Sequence, residues 1–100
     1  MSRNVYGREE HNVAEYCIVL TSSAERDLRA LPRNVEERIV ATIDTLSQEP
    51  RPRGVKKLKG TTNLWRIRVG DYRIIYGVDV QAREVVIHHV RHRREVYRSL

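Results

Sequence analysis

The chain contains one cysteine, Cys17, so no intrachain disulfide can form and the fold rests on packing and hydrogen bonds alone. Cys17 lies in the apolar run Cys17-Ile18-Val19-Leu20, which reads as a small core residue rather than a catalytic thiol. No stretch approaches the roughly 20 apolar residues of a membrane span. The start of the chain lacks the apolar core of a signal peptide. Internal repeats and low-complexity tracts are also absent. These absences point to a protein of the reducing cytoplasm with no membrane partner.

What is present is charge. With 100 residues, of which 40% are apolar, the chain can build one modest core and not two. Its formal net charge is +6, carried by 19 Lys and Arg against 13 Asp and Glu. The halves differ: residues 1–50 hold 6 basic and 9 acidic residues (−3), residues 51–100 hold 13 and 4 (+9). So uneven a balance predicts one basic face for a polyanionic partner, nucleic acid or an acidic protein. Solubility alone is the competing explanation.

Residues 1–14 are polar and aperiodic and read as a flexible extension ahead of a single domain over 15–100. Glu15 to Leu20 reads as a strand. Ser22-x-x-Glu25 then resembles a capping box before a short helix with Ala24, Leu28 and Leu31 on one face. Pro32 closes it. A second helix is expected from Asn34, capped reciprocally by Glu37, with Val35, Ile39, Ile43 and Leu46 as its apolar stripe. Residues 53–63 read as a basic loop carrying Lys56, Lys57 and Lys59. Three strands follow: Leu64 to Val69, Tyr72 to Val78 and Glu84 to Val90. The order is β-α-α-β-β-β, with a basic tail from Arg91 that forms a short C-terminal helical turn. The expected class is α+β: an antiparallel sheet with a helical hairpin on one face.

The central hairpin can be read to the residue. If Gly70-Asp71 is a two-residue turn, with glycine at positive φ, Val69 faces Tyr72 and paired residue numbers share one sum. Alternation then puts Trp65, Ile67, Val69, Tyr72, Ile74 and Tyr76 on one face, against the helices. The other face receives Arg66, Arg68, Arg73 and Ile75. Like charges directly opposite one another cost roughly 0.2–1 kcal/mol per pair. No acidic residue lies between Leu64 and Val69 to offset that cost. An arginine cluster of this kind suits an external phosphate, which a planar guanidinium grips with two hydrogen bonds. An ordinary solvated sheet face is the alternative.

The tail adds His88, His89, Arg91, His92, Arg93, Arg94, Tyr97 and Arg98. No Cys or carboxylate cluster completes a metal site around the histidines, so neither metal nor cofactor is expected. His88 and His89 should point to opposite faces of their strand. On a helical turn Arg93 and Tyr97, four apart, would share a face, with Tyr97 either functional or a packing residue.

The segment Trp65-Arg66-Ile67-Arg68-Val69-Gly70-Asp71-Tyr72-Arg73-Ile74-Ile75-Tyr76 resembles the central hairpin of the RelE/ParE toxin superfamily. His92-Arg93-Arg94-Glu95-Val96-Tyr97 resembles the C-terminal segment of its RelE branch, and Leu31-Pro32 its helix-hairpin boundary. The resemblance spans about residues 15–100. It implies a toxin of a type II toxin–antitoxin system that enters the ribosomal A site and cuts mRNA. There a ribose 2′-hydroxyl attacks the adjacent phosphate. It also implies an acidic RelB-type antitoxin. Basic residues of the family match Arg66, Arg68, Arg73 and Arg93, and a tyrosine matches Tyr97.

The best-studied RelE pattern has lysines where this chain has Arg66 and Arg68, and arginine cannot act as a base near neutral pH. By exclusion His92 becomes the expected proton acceptor. The expected site is therefore Arg73, Arg93, His92 and Tyr97 for catalysis, with Arg66, Arg68, Lys56, Lys57 and Lys59 binding RNA phosphate. Three readings compete with it: a ParE-type DNA gyrase inhibitor, a non-catalytic basic nucleic-acid-binding module, and a degenerate toxin kept as an antitoxin partner.

Overall fold

The structure is a computed structural model and describes residues 15–58, 60 and 63–94. The extension 1–14, Lys59 and the tail from residue 95, including Tyr97, lie outside the described residues.

Two helices follow the first strand. β1 (Cys17–Leu20) leads into α1 (Ser22–Arg29) and α2 (Arg33–Thr45). The N-cap of α1 is Thr21, one residue before the expected Ser22: its hydroxyl accepts the Ala24 N–H at 3.0 Å and donates to the His88 carbonyl at 3.1 Å. The Asn34–Glu37 cap does not form. α2 starts a residue earlier, after Pro32, whose φ of −58° suits a helix entry, and Glu37 instead meets Arg33 across one turn at 3.5 Å. The apolar spacing holds. Ala24, Leu28, Ile39, Ile43 and Leu46 are buried, with Val35 and Leu31 packed beside them.

The chain then enters the sheet through β2 (Lys56–Lys57), β3 (Trp65–Val69), β4 (Tyr72–Asp79) and β5 (Glu84–His92). β2 is a two-residue strand inside the expected basic loop. The spatial order is β1-β5-β4-β3-β2. The α+β class and the helical hairpin on one face stand, but the sheet is mixed, because β1 lies parallel to β5. The reason is directional. The helical hairpin carries the chain to the far edge, where β2 runs opposite to β1. Three antiparallel reversals later β5 runs with β1 and pairs with it.

The β3–β4 register is the expected one: Val69↔Tyr72, Arg68↔Arg73, Ile67↔Ile74, Arg66↔Ile75 and Trp65↔Tyr76. Gly70 has a φ of +59°, a backbone conformation that side-chain-bearing residues rarely adopt, so the turn favours glycine. The helix-facing side contributes Ile74, Tyr76, Val78, Val85, Ile87 and Val90 to the core. Each side chain of this size stabilises by about 1.5–3 kcal/mol when fully buried. Tyr76 is fully buried and donates to the Pro50 carbonyl at 2.7 Å; burial pushes its phenol up to about 12. Cys17 corrects the expectation of a core thiol: it is exposed at the start of the edge strand β1.

Candidate functional site

The sheet face away from the helices is built in rows, because paired residues on neighbouring strands project to the same side. One row runs Lys56, Arg66, Ile75, His89. The next runs Arg68, Arg73, Arg91. The second row sets three arginines side by side across three strands. At its centre Arg73 is only 8% exposed, and its Nη1 donates to its neighbour's carbonyl, Tyr72 O, at 3.3 Å. No carboxylate among the described residues lies within ion-pair distance of Arg73. A buried cation between two others, with no carboxylate partner among the described residues, is costly to hold. That cost falls once an anion lies across the row.

Arg91 belongs to this row because β5 extends to His92, two residues beyond its expected end. Its Nε meets Asp27 Oδ2 at 3.2 Å. Asp27, on the face of α1 next to the core residues Ala24 and Leu28, also accepts the Val90 N–H at 2.9 Å. β1 stops pairing at Leu20↔Ile87, so the edge of β5 beyond that point lacks a strand neighbour. Thr21 and Asp27 take its place, bonding the Ile87 and His88 carbonyls and the Val90 N–H. Asp27 therefore closes the sheet edge and holds Arg91 with one carboxylate oxygen.

The histidines are rearranged by a β-bulge. Ile75 pairs with His89 and Tyr76 with Ile87, leaving His88 as the extra residue. Ile87 and Val90, three apart, both enter the core. The two residues between them are consequently turned to the arginine side. His88 Nε2 lies 3.6 Å from where a Gly77 Cβ would stand, on that same side. The expectation of opposite faces is thus corrected. His89 Nδ1 sits 3.1 Å from Arg91 Nη2 and 3.9 Å from Asp27 Oδ2. Burial, then the neighbouring Arg91, hold the His89 pKa below its usual value; Asp27 pulls the other way and His88 adds to the lowering.

The remaining expected residues divide. Lys56 joins the arginine face beside Arg66. Lys57 alternates to the other side and stands with Arg51 over the Trp65 ring, at 5.9 and 5.5 Å from its centroid. Arg93 donates its backbone N–H to Asp71 O at 2.7 Å, and its Nη1 lies 4.0 Å from Asp71 Oδ1 at the hairpin tip. His92 is not brought to the arginine row. It pairs with Tyr72, on the helix side of the sheet, with its ring edge-on to that tyrosine at 5.3 Å. It lines a groove along the β5 edge with Asp27, Leu31 and Tyr72. Helical backbone begins at Arg93–Arg94, as the tail predicts.

Sequence reasoning places Arg91 in the tail, sets His88 and His89 on opposite faces of their strand with neither in the site, and passes over Asp27. For the histidines a signal existed: Val85 and Ile87 share one parity and Val90 has the other, so an extra residue had to lie between. Asp27 carried no signal, because its partners are more than sixty residues away.

Among the described residues no helix is long and apolar enough to cross a membrane. Residues 18–97 match the family model described as the ParE toxin of the type II toxin–antitoxin system parDE. The toxin RelG of Mycobacterium tuberculosis is 33% identical over 84 residues, 83% of this chain and 97% of that protein. Toxin RelE3 of Methanocaldococcus jannaschii is 31% identical over 84 residues, 80% and 93% of the two chains. Among solved structures, the toxin–antitoxin complex RelBE2 of Mycobacterium tuberculosis contains a chain 34% identical to this one. Its TM-score is 0.71, over 79% of this chain and 99% of that one. The RelE–RelB complex of Pyrococcus horikoshii gives 33% identity and a TM-score of 0.70, over 79% and 96%. With its hairpin register, its arginine row and these relatives, the chain belongs to the RelE/ParE superfamily of type II toxin–antitoxin toxins.

Proposed function

We propose that this toxin is a ribosome-dependent mRNA endonuclease whose phosphate site is the row Arg68–Arg73–Arg91. The observation that carries the reading is Arg73: a buried arginine, flanked by two more, without a carboxylate partner among the described residues. A phosphodiester laid across the row neutralises it. The charge gained in the phosphorane transition state is met by donors already in place, the condition for electrostatic catalysis. Attack of a 2′-hydroxyl forms a 2′,3′-cyclic phosphate and releases a 5′-hydroxyl, and it needs no cofactor. Arg66 and Lys56 extend the cationic surface along the RNA strand. Arg93, at the hairpin tip, is a further catalytic residue of this reading, and Tyr97, outside the described residues, is another. In the ribosome the A-site codon supplies the strand that the face receives.

The antitoxin follows from the same surface. Relatives of known structure are complexes of RelE with RelB. A basic face of this density favours an acidic, partly disordered segment that orders on binding. We assign this chain a RelB-type antitoxin that silences it by covering the arginine face.

The family model's ParE description supports a second reading, inhibition of DNA gyrase. One experiment separates the two: the protein is induced, transcript 5′ ends are mapped and plasmid supercoiling is followed in the same cells. Cuts within translated codons support the nuclease; intact transcripts with loss of supercoiling support the gyrase reading.

A further inference from the structure

We propose that His89, oriented by Asp27, is the catalytic base that takes the 2′-hydroxyl proton, and that substrate phosphate switches it on by drawing Arg91 away. The inference rests on the nuclease reading above.

The geometry comes first. The β-bulge turns His89 onto the arginine face, two residues from Arg91 and one row from Arg73. Its side chain is 37% exposed, so a ligand on the row can touch it. Arginine has no acceptor atom, so the 3.1 Å contact between Arg91 Nη2 and His89 Nδ1 has one sense: Arg91 donates and Nδ1 accepts. At rest the imidazole is therefore neutral with its proton on Nε2. In this state Nδ1 is occupied and Nε2 has no lone pair to offer.

Asp27 supplies the second state. Its carboxylate is fixed by the Val90 N–H and by Arg91 Nε, and stands 3.9 Å from His89 Nδ1. When a phosphate takes the Arg91 guanidinium, Nδ1 faces a carboxylate instead of a cation. The tautomer with Nδ1–H directed at Asp27 is then favoured, and Nε2 gains its lone pair. Basicity rises too. Burial, Arg91 and His88 hold the ring's affinity for a proton down, and Asp27 raises it; engaging Arg91 with phosphate weakens the second of these. The other cations on this side of the sheet, Arg66, Arg68, Arg73 and Lys56, stand in the two rows that the anion would cross.

The step balances without a further reagent. His89 Nε2 takes the 2′-hydroxyl proton as the 2′-oxygen bonds to phosphorus. The bond from phosphorus to the 5′-oxygen breaks, and that oxygen takes a proton from water. The imidazolium is held by Asp27 until it returns its proton to solvent. His89 is the catalytic residue and Asp27 a positioning residue.

The test is single-turnover cleavage of A-site mRNA on programmed ribosomes by the full-length protein, across about pH 5 to 9. Wild type should rise with pH to a plateau as His89 loses its proton. His89→Gln should be slower by about 10²–10⁴-fold, the usual worth of a general base, and lack that inflection, with ribosome binding unchanged. Asp27→Asn should lower the plateau and move the inflection to lower pH, a shift that a merely structural role does not produce. Imidazole should restore part of the rate of His89→Ala, which covers any loss of folding in the Gln variant. Wild-type rate and pH profile in His89→Gln would overturn the assignment while leaving the nuclease reading intact. Ribosomes whose mRNA wild-type protein leaves uncut would overturn both.

Discussion

Replacing Arg73 with methionine isolates its charge from its packing. Arg73 is 8% exposed, so most of its aliphatic stem is buried, and methionine retains an unbranched apolar chain of similar reach. What disappears is the guanidinium. It stands opposite Arg68 on one side and Arg91 on the other, two like-charge pairs at about 0.2–1 kcal/mol each. Removing both relieves roughly 0.4–2 kcal/mol, increased by the desolvation cost of a buried cation and reduced by imperfect repacking. Arg73→Met should therefore match or exceed wild type in stability by about 1 kcal/mol, a rise of about 4–8 °C in Tm for a domain of this size. Alanine is the poorer probe, because it also removes the buried stem.

Two assays check this. In thermal or urea unfolding at low and high salt, wild type should gain more from salt than Arg73→Met, since screening weakens the repulsion that the variant lacks. In the ribosome assay the variant should cleave about 10²–10³-fold more slowly, the usual loss for a missing transition-state donor. A variant less stable than wild type by about 2 kcal/mol or more, with cleavage lost in proportion, would refute the reasoning and make Arg73 a structural residue.

Three further outcomes follow from the packing. Thr21→Ala removes the α1 cap and the bond to the His88 carbonyl together, and should cost about 1–2 kcal/mol in urea denaturation. Tyr76→Phe should cost about 1 kcal/mol, and it should abolish a pH dependence. The Tyr76 phenol is raised to about 12 in the folded state, so its stabilisation is complete below about pH 10 and is lost as pH rises toward 12. The phenylalanine variant should lack that loss in an alkaline unfolding series. Replacing Arg66, Arg68 and Lys56 by glutamate should weaken antitoxin binding and reduce its salt dependence by titration calorimetry; unchanged affinity would place the antitoxin elsewhere.

Much of this was readable from residue order because it is local. Gly70-Asp71 sets a two-residue turn, the turn sets the β3–β4 register, and strand alternation then assigns every side chain of that hairpin to a face. The helical stripes Ala24–Leu28 and Ile39–Ile43–Leu46 follow from 3.6-residue spacing in the same way. The α1 cap falls one residue before Ser22 because Thr21 and Ser22 are both cap formers. Only the His88 carbonyl, placed by β5, favours the threonine.

The sequence by itself determined the basic character of the second half, the helical hairpin and the facing of Arg66, Arg68 and Arg73 on one side of a sheet. Tertiary structure decided what surrounds them. The parallel pairing of β1 with β5 depends on the path of the helices, not on any local signal. Where β1 ends, Asp27 seals the exposed edge of β5, and that contact joins residues 63 and 64 positions apart. The bulge at His88 arises because Ile87 and Val90 both gain from burial in the same core, a demand that strand alternation alone cannot meet. Those long-range choices bring Arg91, His89 and Asp27 together beside Arg73, and they turn His92 to the other side of the sheet.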